Sequence, residues 1–269
     1  SQSAPVGAKA PATDRSRLIF WGVSLLTAVL VIGPIAPIAV QAFLAEPLYA
    51  GDNTFTLTNF VRLLGEAGIG RIFLNTLYFA MLTMGVAQVF GAIAAVVVGR
   101  TNLPGRIWMG ELMVWPLFVS NLVIAFGWFT MYGPSGYFSL AMRSWFGGVP
   151  WNLYSLTGMG IVAGLSQAPL TYLMCIGAVT KADPQLESAA RSAGAGPFRA
   201  LWSVTVPMMR PAIIYSAVLN FVIGIEMLAI PLLFGGPSGI MTITTFLYDK
   251  GINACLLYTS DAADDSLRV

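Results

Sequence analysis

The chain of 269 residues is 57% hydrophobic and 10% charged, carries a net charge of +2 and contains no histidine. Soluble domains hold about 25% charged residues, and uncharged runs as long as these would set large apolar faces in water; a water-soluble globular fold is excluded. The small basic excess gives no footing for nucleic acid, and the absence of histidine excludes histidine-based acid–base chemistry and histidine-ligated zinc in this chain.

Residues 1–17 are rich in Ala, Pro and Ser and read as a disordered cytoplasmic tail. The first predicted span is Leu18–Leu44, uncharged between Arg17 and Glu46, with Pro34 and Pro37 expected to kink it. A cleaved signal peptide is the alternative, since Val40-Gln41-Ala42 loosely fits a cleavage site, but the apolar run exceeds the roughly 7–15 residues of a signal core. The second span is Ile72–Val98, where Ala87, Gly91, Ala95 and Gly99 recur every four residues and invite close approach of another helix. The third is Ile107–Tyr132, with Glu111 near one end, expected to snorkel or to pair with Arg106. The fourth is Leu156–Thr180 and the fifth Pro211–Phe234. Runs this long and continuous do not alternate as barrel strands do. The fold class expected is an all-α integral membrane protein, a bundle of about five transmembrane helices in a lipid bilayer. Cys175 falls inside an apolar run and Cys255 in a polar tail, which suggests neither a disulfide framework nor a metal site.

Basic residues set the orientation. With the N-terminus inside, Lys9, Arg15, Arg17, Arg100, Arg106, Lys181, Arg191, Arg199 and Arg210 lie inside, against Arg62, Arg71, Arg143 and Lys250 outside. The N-terminus is therefore expected in the cytoplasm.

Residues 181–210 form a polar cytoplasmic segment with helix signals. Asp183-Pro184 reads as an N-cap followed by a first-turn proline. Gln185 to Ala193 is helix-compatible, Gly194, Gly196 and Pro197 read as a stop and restart, and Phe198 to Val206 forms a second short helix ended by Pro207. From composition alone, an amphipathic loop resting on headgroups fits this helix–turn–helix equally well.

Ser188-Ala189-Ala190, three residues, Gly194, nine residues, then Val204-Thr205-Val206-Pro207 resembles the EAA loop of the membrane subunits of binding-protein-dependent ABC importers. The family pattern is Glu-Ala-Ala, three residues, Gly, nine residues, Ile, one residue, Leu-Pro, and the spacing here matches throughout. Ser188 stands where the pattern has Glu, with Glu187 just before it. Asn75-Thr76-Leu77, the stretch from Arg100 to Gly105 and the stretch from Pro231 to Gly236 also look like this family, so the resemblance covers roughly residues 18–252. Within the family the chain is most similar to permeases for ferric iron and for spermidine/putrescine. The resemblance implies that the loop, through Glu187, Ser188, Ala189, Ala190, Gly194, Val204 and Pro207, docks on a separate ATP-binding cassette ATPase subunit. It also implies an extracytoplasmic substrate-binding protein, a second permease half, fused or separate, and residence in the bacterial cytoplasmic (inner) membrane. No Gly-x-x-x-x-Gly-Lys-[Ser/Thr] phosphate loop is present. ATP and magnesium would then belong to the partner, and the chain itself would be non-catalytic with no cofactor of its own.

Four polar residues within the spans are candidates for the substrate path. Glu226 lies past the middle of the fifth span, where a charge costs about 2.5–3.5 kcal/mol and so should face a cavity. Pro231 is expected to free a backbone carbonyl beside it. Asn220, Gln167 and Asn121 are weaker, because buried amides more often bridge helices. Gly133-Pro134-Ser135-Gly136 recurs at Gly236-Pro237-Ser238-Gly239, at the outer ends of spans, as turn chemistry or a docking face for the binding protein. Residues 255–269 resemble a translated library adapter, so a non-native tail and a sixth span lost by truncation are expected; a genuine short polar tail outside the membrane is the alternative. An ion-gradient-driven secondary transporter is the alternative function; it would call for more intramembrane charges and paired broken helices.

Overall fold

With no water to hydrogen-bond its backbone, a chain in hydrocarbon must satisfy every amide internally, and an uncharged run of more than about 20 residues does so as a helix. The computed structural model describes residues 14–44, 54–66, 68–181 and 184–251. Among these, four helices are long and apolar enough to cross a membrane, or six if each of two bent helix pairs is one span. The all-α membrane fold is as expected, and no strand occurs among the described residues beyond one isolated bridge.

The chain divides into two units, Ser1–Ile69 and Gly70–Val269. In the first, α1 (Asp14–Ala42) carries Pro34 and Pro37 within it. It begins at Asp14, ahead of the predicted Leu18; the rest of the tail expected over residues 1–17 lies outside the described residues. Leu44 bridges Phe55, and Asn59 Nδ2 donates to the Leu44 carbonyl at 2.8 Å, fastening α2 (Thr58–Gly65) to the end of α1.

The second unit is built on α3 (Ile69–Arg100), α7 (Leu156–Lys181) and α10 (Val206–Glu226). Helices α3 and α7 run parallel: Gly160 lies against Leu82, Gly164 against Val86, Gly91 against Ala168 and Thr171, and Gly99 against Val179. The four-residue small stripe predicted on α3 is this seam. A Cβ added at Gly91 would lie 2.5 Å from the Ala168 carbonyl oxygen. Helix α10 runs antiparallel to α3, with Gly224 against Ala80 and Gln88 bonded to Ser216. The apolar core falls into two clusters. One joins Phe79, Met159, Val162, Ile230 and Phe234. The other joins Ala95, Tyr172, Cys175, Val179 and Met209, where α3 and α7 end and α10 begins.

Two predicted spans are broken. The third, Ile107–Tyr132, is α4 (Arg106–Val114), a 3-10 turn (Trp115–Phe118) and α5 (Asn121–Tyr132), and Arg106–Phe118 meets the longer arm Asn121–Phe146 at a bend of 109°. Pro116 removes a helical donor and Ser120 Oγ caps α5 by accepting from the Leu122 amide, so the helix stops and restarts. Helix α6 (Tyr137–Phe146) follows the turn at Gly133-Pro134-Ser135-Gly136 and stops at Gly147, whose φ of 74° is left-handed.

The fifth, Pro211–Phe234, begins earlier and breaks sooner. Pro211 sits inside α10, which ends at Glu226; after Met227 and Leu228, α11 (Ala229–Gly235) starts. A 3-10 turn, Gly236–Ser238, then leads toward α12 (Ile243–Gly251), inclined by 82°. Pro231 is the cause of the break: it has no N–H for the carbonyl four residues earlier, which is that of Met227. That freed carbonyl accepts from Thr244 Oγ1 at 3.0 Å. Thr76 Oγ1 accepts from the Ile243 amide at 2.9 Å and Asn75 Nδ2 donates to the Met241 carbonyl, so α3 holds the start of α12. The tail predicted over 255–269 lies outside the described residues.

Because the α3–α7 seam brings backbones together, a side chain at Gly91 has nowhere to go. Gly91→Leu is expected to destabilise by about 3 kcal/mol or more through overpacking. Gly85→Leu on the same helix, where nothing lies within 4 Å of an added Cβ, is expected to be tolerated. Thermal midpoints of the two variants in detergent, read from the monodisperse fraction after heating, test the contrast.

Candidate functional site

The 181–210 segment is a helix pair at the end of the bundle where α3 and α7 finish. Helix α8 (Pro184–Ser192) is followed by a tight turn, then α9 (Pro197–Ala200), then a π turn (Leu201–Thr205) that runs without interruption into α10. The turn follows from Gly194, whose φ is +88°. The Ala195 amide reaches back to the Ala190 carbonyl at 3.0 Å and the Ala193 amide to Ala189, the hydrogen bonding of a helix closed by a left-handed glycine. Glycine is needed here for its backbone, since an added Cβ would meet nothing within 4 Å.

Ala189 and Gly194 are exposed, and Ala190, Val204 and Pro207 are half-buried. The side chains of Glu187 and Ser188 lie outside the described residues, as does the predicted N-cap Asp183. Pro207 does not end the second helix. It occupies the first turn of α10, directly after the π turn, where a proline's missing N–H costs little. Helix α9, the π turn and α10 are therefore one continuous helical path, joined to α8 by the turn at 193–196. Basic residues gather at this end: Arg100 closes α3, Lys181 closes α7, and Arg199 and Arg210 flank the π turn.

The four polar path candidates occupy different kinds of place. Asn220 is fully buried and donates from Nδ2 to Thr171 Oγ1 at 2.7 Å, tying α10 to α7. One turn earlier Ser216 and Gln88 exchange hydrogen bonds at 3.0–3.3 Å, tying α10 to α3. Gln167 is buried within α7, and Asn121 is the half-buried first residue of α5, beside the break. Glu226 is not inside a continuous span. It is the last residue of α10, exposed, beside the unwound Met227 and Leu228, because Pro231 ends the helix there. Glu111, expected to snorkel or to pair with Arg106, lines a cavity of about 550 Å³ with Val114, Tyr172 and Ile176 and does not pair with Arg106. The Arg106 guanidinium goes to the Thr101 carbonyl and Asn102 Oδ1, both at 3.1 Å.

At the opposite end of α7 an aromatic-walled cavity of about 410 Å³ is lined by Trp128, Tyr132, Trp151, Asn152 and Ser155. Trp151 Nε1 donates to the Tyr132 carbonyl at 3.0 Å and fixes one wall. Among the described residues no three His, Cys, Asp or Glu side chains gather where they could hold a metal ion. Sequence reasoning missed the π turn, the Thr244–Met227 bond and the Gln88–Ser216 bridge. Only the last left a signal, two polar residues inside apolar runs.

Residues 87–253 match the family described as Binding-protein-dependent transport system inner membrane component. The chain belongs to that family. The ferric transport system permease protein FbpB of Actinobacillus pleuropneumoniae is 27% identical over 233 residues, covering 85% of this chain and 33% of its own length. The sulfate transport system permease protein CysW of Synechocystis is 27% identical over 164 residues, covering 60% of this chain and 57% of its own length. The molybdenum transport system permease protein ModB of Escherichia coli is 29% identical over 132 residues, covering 49% of this chain and 57% of its own length. The chain thus spans about a third of the length of the ferric permease. A bacterial alginate ABC transporter, solved in complex with an alginate pentasaccharide-bound periplasmic protein, shares the fold with a TM-score of 0.71 at 19% identity, over 92% of this chain and 88% of that one.

The Asn220–Thr171 bond is the clearest polar tie in the bundle. A double-mutant cycle with Asn220→Ala and Thr171→Ala, read as thermal stability in detergent, is expected to give a coupling of about 0.6–1.7 kcal/mol, the range of interhelical hydrogen bonds in a membrane. A coupling near zero would show that the two side chains do not hold each other.

Proposed function

We propose that this permease subunit forms half of the substrate path of an ATP-driven importer and is coupled to a separate ATPase subunit through residues 181–210. The observation that carries the reading is the continuous helical path from α9 through the π turn into α10, to which the Gly194 turn joins α8. A displacement of α9 reaches α10 through hydrogen-bonded helix rather than through a loop. The EAA-like spacing of Ala189, Ala190, Gly194, Val204 and Pro207 supports the same reading, with Glu187 taking the acidic role where Ser188 departs from the pattern.

The basic residues at the helix-pair end support a cytoplasmic placement of that end in a bacterial inner membrane, and the excess of Lys and Arg counted along the sequence supports a cytoplasmic N-terminus. A second permease half covers the faces of α3 and α10 that carry exposed Met81, Val89, Phe90, Val218 and Val222. An extracytoplasmic binding protein delivers substrate to the opposite end. Ferric iron is the substrate we favour, since the ferric permease aligns over more of this chain than the sulfate and molybdenum ones do. Glu226, at the break in the fifth span, is the path residue we favour: a carboxylate beside a helix C-terminus is a locally negative site that draws a cation.

Two variants test these assignments separately. Gly194→Trp forces an L residue to a left-handed φ, at about 1–2 kcal/mol, and sets a bulky ring on the helix-pair surface. It is expected to abolish co-purification with the ATPase while leaving membrane insertion intact, and normal co-purification would sink the coupling assignment. Glu226→Gln is expected to lower binding-protein-dependent uptake of radiolabelled ferric iron into proteoliposomes at least severalfold with co-purification unchanged. Undiminished uptake would remove Glu226 from the path.

A further inference from the structure

In the π turn Leu201–Thr205 the Val206 amide donates to the Leu201 carbonyl, five residues back. A π turn amounts to one residue inserted into an α-helix, and it persists only where something offsets its poorer geometry. Burial supplies the offset here. Ala200 and Thr205 are fully buried and Met209 nearly so, forming one stripe spaced by five residues and then four. At about 3.6 residues per turn a five-residue step would carry Ala200 well off the face shared by Thr205 and Met209. The wide turn takes up the extra residue and keeps all three inward.

Thr205 carries the cost. Its Oγ1 is buried without a hydrogen-bond partner. A threonine inside an α-helix ordinarily donates to the carbonyl four residues before it. Thr76 does so to Ile72 at 2.8 Å and Thr180 to Ile176 at 2.9 Å. For Thr205 that acceptor would be the Leu201 carbonyl, which here accepts from the Val206 amide and receives no hydroxyl; Thr83, in the unbroken α3, is also buried without a partner. Two arrangements therefore compete. The π form buries Ala200 and orphans the Thr205 hydroxyl. The α form satisfies the hydroxyl and turns everything before it by about 100° around the helix axis, which takes Ala200 off the stripe. What lies before it is the α8–α9 pair, and what lies after is α10, held to α7 and α3 by Asn220 and Ser216.

We propose that Leu201–Thr205 is the joint on which the helix pair turns relative to α10, alternating between π and α hydrogen bonding, with Thr205 as the positioning residue that sets the balance. This rests on the coupling-loop reading above. Deleting Ser203, which is exposed, brings Ala200 and Thr205 to a four-residue spacing. A straight α-helix then buries both and satisfies the hydroxyl, and the competition is gone.

The test uses the full chain assembled with its ATPase subunit in proteoliposomes. The Ser203 deletion is expected to retain the ATPase at wild-type yield and to lower ATP hydrolysis at least tenfold. Wild-type hydrolysis overturns the joint, and so does loss of the ATPase from a correctly inserted variant, since the turn would then belong to the docking face. Thr205→Val removes the hydroxyl at constant shape. It is expected to raise the thermal midpoint while lowering hydrolysis at least threefold, with Thr205→Ser restoring the rate. A stabilised Thr205→Val variant at full rate marks a merely structural threonine and overturns the proposal. Failure of the wild-type chain to retain the ATPase removes the coupling-loop reading and the joint with it; full hydrolysis in both variants removes the joint alone.

Discussion

The second unit depends on the contact between the backbones of α3 and α7. In hydrocarbon, apolar side chains gain nothing from leaving lipid for one another, so helices associate through close packing and interhelical hydrogen bonds. Gly91, Gly99, Gly160 and Gly164 remove the atoms that would keep α3 and α7 apart, and the Ala168 carbonyl oxygen lies 2.5 Å from where the Gly91 Cβ would be. With these two helices locked in parallel, the chain between them, α4 to α6, has to return across the bundle, and the bend at Val119–Ser120 accommodates that return.

Helix α10 is held differently. It meets α3 through Gly224 on Ala80, and two polar bridges, Asn220–Thr171 and Ser216–Gln88, set its height and rotation against both neighbours. Packing between smooth apolar surfaces specifies rotation weakly; a buried amide that must find its partner specifies it well. Helix α10 is thus fastened at its centre, and each of its ends is irregular: a π turn toward the helix pair and a proline-induced break toward Glu226.

The irregular ends also share one physical theme. At each, a backbone or side-chain group is displaced from its regular helical partner. At Met227 the freed carbonyl finds Thr244, and the segment between is closed on itself. At Thr205 the hydroxyl finds nothing. The first is a satisfied departure from helical geometry and the second an unsatisfied one, so the two ends differ in how readily they can rearrange.

The sequence by itself determined the environment, the fold class and the family. Charge content and run length demand a bilayer, the four-residue recurrence of Ala87, Gly91, Ala95 and Gly99 identifies a helix-packing face, and the spacing from Ser188 to Pro207 carries the family resemblance. These are local or periodic properties and survive without knowledge of neighbours. Where helices stop, and which polar groups meet, was decided by the tertiary structure. Pro207 and Pro231 are the same residue type in similar apolar settings, yet the helical path runs through one and breaks at the other. The difference is that Pro207 sits where the π turn has already displaced the backbone hydrogen bonds, while the carbonyl freed by Pro231 is claimed by a threonine 17 residues from it in the chain. Asn220 likewise is an amide inside an apolar run whose bonding partner, Thr171, lies 49 residues away in the chain. Hydrogen-bond satisfaction in a membrane interior depends on partners distant in sequence, and for that reason these outcomes could not be read along the chain.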